Sequence, residues 1–134
     1  MKDVLNLVQE TLDDLLDADG VRVYCGRRAE IAADPKQDEY VIYMLESDNA
    51  EVSADGDVLI RMVRIGVQYY SQQRITRTYA GRQAALDRME SIMRALRAAG
   101  FGTSTGWEEI GDVDDVGFST FRSVYEIPRD ASGD

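Results

Sequence analysis

Three aspartates within one short stretch, Asp112, Asp114 and Asp115, have the spacing most suggestive of metal chemistry. Carboxylate oxygens are the ligands that Ca²⁺ prefers, and an EF-hand loop adds a glycine at its sixth position and a closing glutamate. This stretch lacks both of those residues. We therefore expect a solvated acidic turn here and no metal site.

The chain has no histidine, which is the usual base in nucleophilic catalysis, and it has only one cysteine, Cys25. Triads built on histidine and histidine-ligated zinc sites are excluded, and a reactive thiol would need a base close by. We expect Cys25 to be a small buried hydrophobic residue in the apolar run 21–25. A single cysteine also excludes an intramolecular disulfide and fits synthesis in a reducing cytoplasm.

Two carboxylates remain as an acid–base alternative, Glu46 and Glu126. Such a pair works as acid and base only when an apolar pocket moves its pKa values apart. No feature of the sequence brings these two residues into such a pocket. We expect a non-enzymatic protein without a cofactor.

The run from Asp57 to Ser71 is β-type and carries one arginine on each of its two faces, Arg61 and Arg64. Two interpretations of these arginines are open. They are solvated positions that protect a sheet face, or they pair with an acidic surface on a neighbouring subunit.

Length and charge limit the class of protein. A chain of 134 residues suits one domain, and we assign that domain to residues 1–128 with a flexible tail at 129–134. The net charge of −10 argues against tight nucleic-acid binding, because that affinity comes largely from Lys and Arg. We expect no signal peptide and no membrane-spanning segment.

The first half of the chain predicts one helix and three strands. Val4, Val8, Leu12 and Leu15 recur at helical spacing, and Gly20 can end that helix in a left-handed conformation. The three predicted strands are residues 21–24, 39–46 and 57–71. Two polar loops, 26–38 and 47–56, lie between them. Strand 39–46 is apolar on both faces, which is typical of a central strand. The apolar phase of strand 57–71 changes near residues 61–64, where we expect a bulge or bend.

The second half predicts a long helix and a hairpin. Helix 79–99 has an apolar stripe and is stopped by Gly100. The stripe consists of Leu86, Met89, Ile92 or Met93, and Leu96. Segments 101–110 and 118–127 are predicted to be the two strands of a hairpin, and we expect Pro128 to end the second one. The fold class is α+β, with an antiparallel twisted sheet of about four to five strands flanked by an N-terminal helix and a longer helix near residues 80–99.

This order of elements resembles the tail-completion, or tail terminator (tail-to-head joining), proteins of long-tailed bacteriophages. The resemblance rests on four features and covers nearly the whole chain. They are the amphipathic helix 4–16, the tyrosine-rich strands 40–46 and 57–70, the helix 82–98, and the closing strands that end at Tyr125-Glu126-Ile127.

The resemblance implies a structural virion protein that caps the tail tube and joins it to the head connector. It implies a ring, commonly a hexamer, through which DNA passes without specific binding. An acidic lumen suits that passage because it does not retain phosphates. Subunits of this charge need complementary patches in order to assemble, and the candidates are Arg27, Arg28, Arg61, Arg64, Arg74 and Arg77. We expect the two polar loops to be docking elements that become ordered on assembly.

Other functions remain open. A head-closure or connector adaptor, or a minor tail protein, has a similar size and differs only in its partner. A small ligand-binding regulatory domain is a further alternative.

Overall fold

The computed structural model describes residues 2–26, 37–52, 58–110 and 117–130. It contains three α-helices, one 3-10 turn and five strands in these regions. In chain order they are α1 (Lys2–Leu16), the 3-10 turn (Asp17–Asp19), β1 (Arg22–Cys25), β2 (Glu39–Val52), β3 (Val58–Gln72), α2 (Gln73–Thr76), α3 (Tyr79–Ala98), β4 (Gly102–Ile110) and β5 (Phe118–Asp130).

The strands form one five-stranded sheet in the order β1-β2-β3-β5-β4. The β2–β3, β3–β5 and β4–β5 pairs are antiparallel, whereas β1 runs parallel to β2. The predicted α+β class is therefore confirmed, and the sheet is mixed because β1 is parallel to β2 while the other pairs are antiparallel.

Both long helices pack on one face of the sheet. Every fourth residue of α1 is fully buried, and α3 contributes its own stripe to the same core. These core residues are Val4, Val8, Leu12 and Leu16 from α1, Ala85, Met89, Ile92 and Leu96 from α3, and Val41, Tyr43, Val63, Ile65, Val67, Tyr69, Phe121, Tyr125 and Ile127 from the sheet. We call this side the helix face.

The opposite side of the sheet, which we call the open face, has a smaller aromatic cluster of its own. Tyr40, Ile42 and Tyr70 are fully buried there. The rings of Tyr40 and Tyr70 lie on directly paired residues and stack with centroids 4.5 Å apart and planes within 8°. Strand β2 is thus buried on both faces near its start, as its apolar pattern predicted.

The predicted irregularity in the β2–β3 region exists, but it lies in β2. The β3–β5 register is continuous from Ile60 to Gln72, whereas the β2–β3 register shifts between Leu45 and Ser47, opposite Ile65 and Arg64. The extra residue in β2 is Glu46. Strand β3 keeps its alternation through residues 61–64, so the bulge predicted there is absent from β3 itself. A second register shift, between Glu51 and Val52, leaves Leu59 of β3 as the extra residue.

Strand β2 is longer than its sequence indicated. Residues 47–52, predicted as loop, pair with residues 58–64 of β3. Polar residues are held in the extended conformation here by the ladder, so pairing overrides local propensity. Residues 53–56 of the predicted loop and residues 27–36 of the other loop lie outside the described residues.

The ends of the helices follow the sequence. Gly20 has φ 72° and closes the 3-10 turn that extends α1. Thr78 caps α3, since its hydroxyl accepts a hydrogen bond of 3.0 Å from the Gly81 amide. Gly100 follows the last turn of α3, with φ 108°.

Three predictions about single residues are wrong. Cys25 is exposed, because β1 is an edge strand and Cys25 is its last residue. Leu86 is 49% exposed, and Ala85 takes the buried position instead. Pro128 does not end β5, which continues through Arg129 to Asp130.

No helix within residues 2–26, 37–52, 58–110 and 117–130 is long and apolar enough to span a membrane.

Candidate interaction surfaces

The open face carries two ion pairs that cross between strands. Arg64 of β3 and Glu126 of β5 are direct partners in the ladder, and Arg64 Nε donates to Glu126 Oε2 at 3.1 Å. Val63 and Ile65 are buried on the helix face, and successive side chains of a strand alternate between the two faces. The Arg64 side chain therefore lies on the open face. This arginine is thus neutralised within its own chain.

The second pair spans three strands. Glu46, the bulged residue of β2, accepts a hydrogen bond from the Arg122 guanidinium of β5, so its side chain crosses over β3. It crosses at Gly66, where the Cβ of any larger residue would overlap the Glu46 carboxylate. A glycine in an otherwise apolar strand often marks such a close approach, and that is the signal the sequence offered for this site.

Arg61 lies on the helix face, near the amino end of α1. Its guanidinium is 3.6 Å from Asp48, and its side chain is 20% exposed. Its partner in the β3–β5 ladder is Arg129, whose Nε is 3.2 Å from Asp3 of α1. Two like charges are therefore opposite each other, and each is compensated by its own aspartate.

Arg74 and Arg77 lie together at the other end of the sheet, in and just after the short helix α2. The Arg74 guanidinium pairs with Asp38 and also donates to Gln72. Arg77 is exposed and its amide hydrogen bonds to the Gln73 carbonyl oxygen. Both side chains are accessible for a partner.

The four predicted interface arginines that the structure describes, Arg61, Arg64, Arg74 and Arg77, do not form one patch. Arg61 and Arg64 lie on opposite faces, and the Arg74–Arg77 pair is at the other end of β3. Arg27 and Arg28 lie outside the described residues. Their role in subunit contacts remains a prediction.

The carboxylates considered for acid–base chemistry are both engaged by arginines. Glu46 pairs with Arg122, and Glu126 pairs with Arg64, so neither lies in an apolar pocket. Within the described residues, no group of three or more acidic or cysteine side chains could hold a metal ion. Asp112, Asp114 and Asp115 lie outside those residues.

An acidic, open groove lies between the carboxyl end of α1 and the edge strand β1, with a volume of about 540 Å³. Asp13, Asp17 and Arg22 line it together with Gln9. Gln9 also accepts a hydrogen bond of 2.7 Å from the Tyr43 hydroxyl, which fixes α1 on the sheet. The groove is polar and shallow, unlike a small-molecule site, which is mostly apolar and encloses its ligand.

A hydrogen-bonded chain connects α3 to the sheet and was not predicted from the sequence. The buried Tyr69 hydroxyl donates to Glu39 at 2.9 Å, and Arg88 donates to Glu39 at 2.6 Å and to Asp19 at 2.7 Å. Burial alone would lower the pKa of Arg88, but its hydrogen bonds to Asp19 and Glu39 outweigh that effect and raise the pKa. Only 22% of the Arg88 side chain is exposed.

The outward side of α3 exposes apolar residues. Tyr79 is 82% exposed and Leu86 is 49% exposed. Trp107, on the neighbouring strand β4, is half-buried and donates from Nε1 to the Met89 carbonyl oxygen at 3.0 Å. The α3–β4 side of the molecule is therefore a surface with accessible apolar groups.

No protein-family model and no curated protein matches the sequence. Among solved structures, the chain is similar to the sheath/tube terminator of an extracellular contractile injection system (PVC), determined by cryo-EM in the extended state. The two are 14% identical with a TM-score of 0.35, and the match covers 95% of this chain and 56% of that one. The chain thus spans little more than half the length of that protein, and a TM-score of this size does not establish a shared fold.

Proposed function

We propose that this protein is a structural component of a phage-type tail that caps the tail tube and joins the tail to the head connector. The observation that supports the proposal best is the arrangement of elements around one sheet. Helix α1, the long β2–β3 hairpin, helix α3 and the closing β4–β5 hairpin follow one another in the order on which the sequence resemblance rests. No catalytic role is part of the proposal.

In this proposal the subunits form a ring, with six as the expected number, and DNA passes through it. The net charge of −10 favours such passage, since a negative lumen does not hold phosphates. The protein acts in the virion at the head–tail interface after synthesis in the host cytoplasm. Its partners are further copies of itself, the tail tube protein and the head connector protein.

The ring requires contacts that overcome repulsion between acidic subunits. Arg74 and Arg77 are accessible at one end of the sheet, whereas Asp13, Asp14 and Asp17 are exposed at the end of α1. A heterologous contact between two such surfaces on successive subunits closes a ring when the rotation is right. Arg61 and Arg64 join this contact only if they exchange their internal partners, which costs little for the exposed Arg64.

The first test is native mass spectrometry of the purified protein at a series of concentrations and salt strengths. We expect a discrete ring-sized oligomer, whose fraction rises between low and moderate salt because counterions screen the repulsion. A monomer under all conditions would exclude a self-assembling ring and leave assembly only on a tail or connector template.

The second test uses tubes assembled from the tail tube protein of the same tail. Addition of this protein is expected to place density at tube ends in electron micrographs and to stop further elongation. Arg77→Glu should weaken that effect, whereas Arg97→Glu, an exposed arginine at the far end of α3, should leave it unchanged. Binding to the isolated connector without binding to tubes would instead support a connector adaptor.

A further inference from the structure

The exposed apolar residues of α3 belong to a regular stripe. We define the outer stripe as Tyr79, Arg82, Leu86, Glu90 and Met93, which fall within an arc of about 80° on a helix of 3.6 residues per turn. Its middle residue Leu86 is 49% exposed, and the side chains of Arg82 and Glu90 are 55% and 54% exposed. Met93 is half-buried at the margin of the core. The stripe thus presents alternating apolar and charged side chains to the outside.

The order of residues in the outer stripe is symmetric about Leu86. Arg82 and Glu90 are each four residues from Leu86, and Tyr79 and Met93 are each seven residues from it. When a second, antiparallel α3 lies on this stripe with the two Leu86 side chains in contact, Arg82 of each copy faces Glu90 of the other. The ring of Tyr79 then faces Met93, and a thioether packs favourably on an aromatic ring.

We propose that the outer stripe is a two-fold contact with a second copy of this chain. Charge complementarity selects this occupant, because both charged positions find an opposite charge in the antiparallel arrangement. The Leu86 pair lies between the charged pairs, and the two Tyr79–Met93 pairs lie beyond them. A two-fold contact buries the same patch on both subunits and closes on itself. It therefore builds no ring, and the proposal stands independently of the ring described above.

The internal partners of the two charged residues do not prevent the contact. Arg82 lies 3.4 Å from Glu109, and Glu90 accepts from Arg94 at 2.5 Å, both between well-exposed side chains. Exposed pairs of this kind contribute little to stability, so exchanging them for contacts with the second copy costs little. The desolvation of Leu86 and Tyr79 supplies the favourable term.

The contact is small. The stripe extends over about 21 Å of helix, and a single helix pair buries less surface than the roughly 800 Å² per partner of a stable complex. The dimer that this contact forms is therefore expected to be reversible, with a population that depends on concentration.

Sedimentation equilibrium of the full chain at low salt, where charge repulsion leaves the proposed ring least populated, measures this contact. The wild-type protein is expected to show a monomer–dimer equilibrium, and Leu86→Asp should raise the dissociation constant at least about tenfold, since it buries an unpaired charge at the centre of the contact. The matched control is Ala84→Asp, which introduces the same side chain at an exposed position on another side of α3. Both variants should keep the wild-type circular dichroism spectrum and melting temperature.

A charge exchange gives a second, independent readout. Arg82→Glu and Glu90→Arg should each weaken the dimer, because each places like charges together in the antiparallel contact. The double variant should recover most of the wild-type affinity, since both contacts again join opposite charges.

Three results would overturn the proposal. At low salt, they are a wild-type monomer at every concentration, a dimer that Leu86→Asp leaves intact, and a double variant no tighter than the weaker single variant.

Discussion

Single residues decide how the open face is built, and Gly66 is the clearest case. The three atoms nearest to a Cβ placed there all belong to Glu46, whose carboxylate crosses β3 to reach Arg122. Alanine in a strand is favoured over glycine by about 0.5–1 kcal/mol. The displaced ion pair, with side chains about 30% exposed, contributes a similar amount. The two effects nearly cancel, so Gly66→Ala alone is uninformative.

A double-mutant cycle separates the two effects. We expect Gly66→Ala to be nearly neutral in the wild-type protein and stabilising by about 0.5–1 kcal/mol in the Glu46→Ala background, where no carboxylate is displaced. Urea unfolding of the four proteins measures the difference. An equal effect of Gly66→Ala in both backgrounds would show that Glu46 does not lie over Gly66.

At the scale of secondary-structure elements, Arg88 connects α3 to the 3-10 turn and to β2. Its guanidinium donates to both Asp19 and Glu39, and Glu39 also accepts from the buried Tyr69. Hydrogen bonds to charged groups contribute about 1.5–3 kcal/mol when they are partly buried. Arg88→Met should therefore lower the free energy of unfolding by about 2 kcal/mol, as measured by urea titration.

Arg94→Met is the matched control for this substitution. Arg94 lies on the same helix and pairs with Glu90 four residues earlier, but its side chain is 76% exposed. Its loss should change stability by no more than about 0.5 kcal/mol. If both substitutions cost the same amount, the Arg88 network does not hold α3 to the sheet.

The elements with strong periodicity could be predicted from the sequence, and those held by pairing could not. Helices α1 and α3 have apolar stripes that define their extent, and the predicted ranges agree with Lys2–Leu16 and Tyr79–Ala98. Residues 47–52 are polar and become strand only because β3 lies beside them. Pro128 is tolerated because β4 pairs with β5 only as far as Glu126, which leaves the outer edge of β5 free at the proline.

Candidate surfaces were harder to predict than elements. The sequence of a helix shows which of its faces is apolar, but it does not show how much of that face the sheet covers. Leu86 was therefore assigned to the core, whereas the structure shows that it is exposed. Arg61, Arg64 and Arg74 each pair with an acidic residue of the same chain. These pairs could not be predicted, because the acidic residues are distant from the arginines in the sequence. The pairing register supplies this information.

At the scale of the whole molecule, buried tyrosines couple the core to pH. Burial is the main cause that raises the pKa of Tyr125 from 10.0 to about 12. Burial also raises the pKa of Tyr69, aided by the nearby Glu39 carboxylate, and that of Tyr43, aided by Cys25. In each case the folded state favours the neutral phenol.

The sign of the pH effect follows from these directions. Below pH 10, the phenols are protonated in both states and stability does not depend on them; above it, the unfolded chain loses protons that the folded chain keeps. Stability should therefore fall as the pH rises from 10 towards about 12, by about 1.4 kcal/mol per pH unit for each phenol that is ionised in the unfolded chain and neutral in the folded one. Urea titrations at a series of pH values measure the slope, and tyrosinate absorbance reports the ionisation. Tyr125→Phe should make the fall less steep, because one coupled proton is removed. Full tyrosinate absorbance with a native circular dichroism spectrum would contradict the coupling, since it would mean that these phenols ionise without unfolding the sheet that α1 and α3 cover.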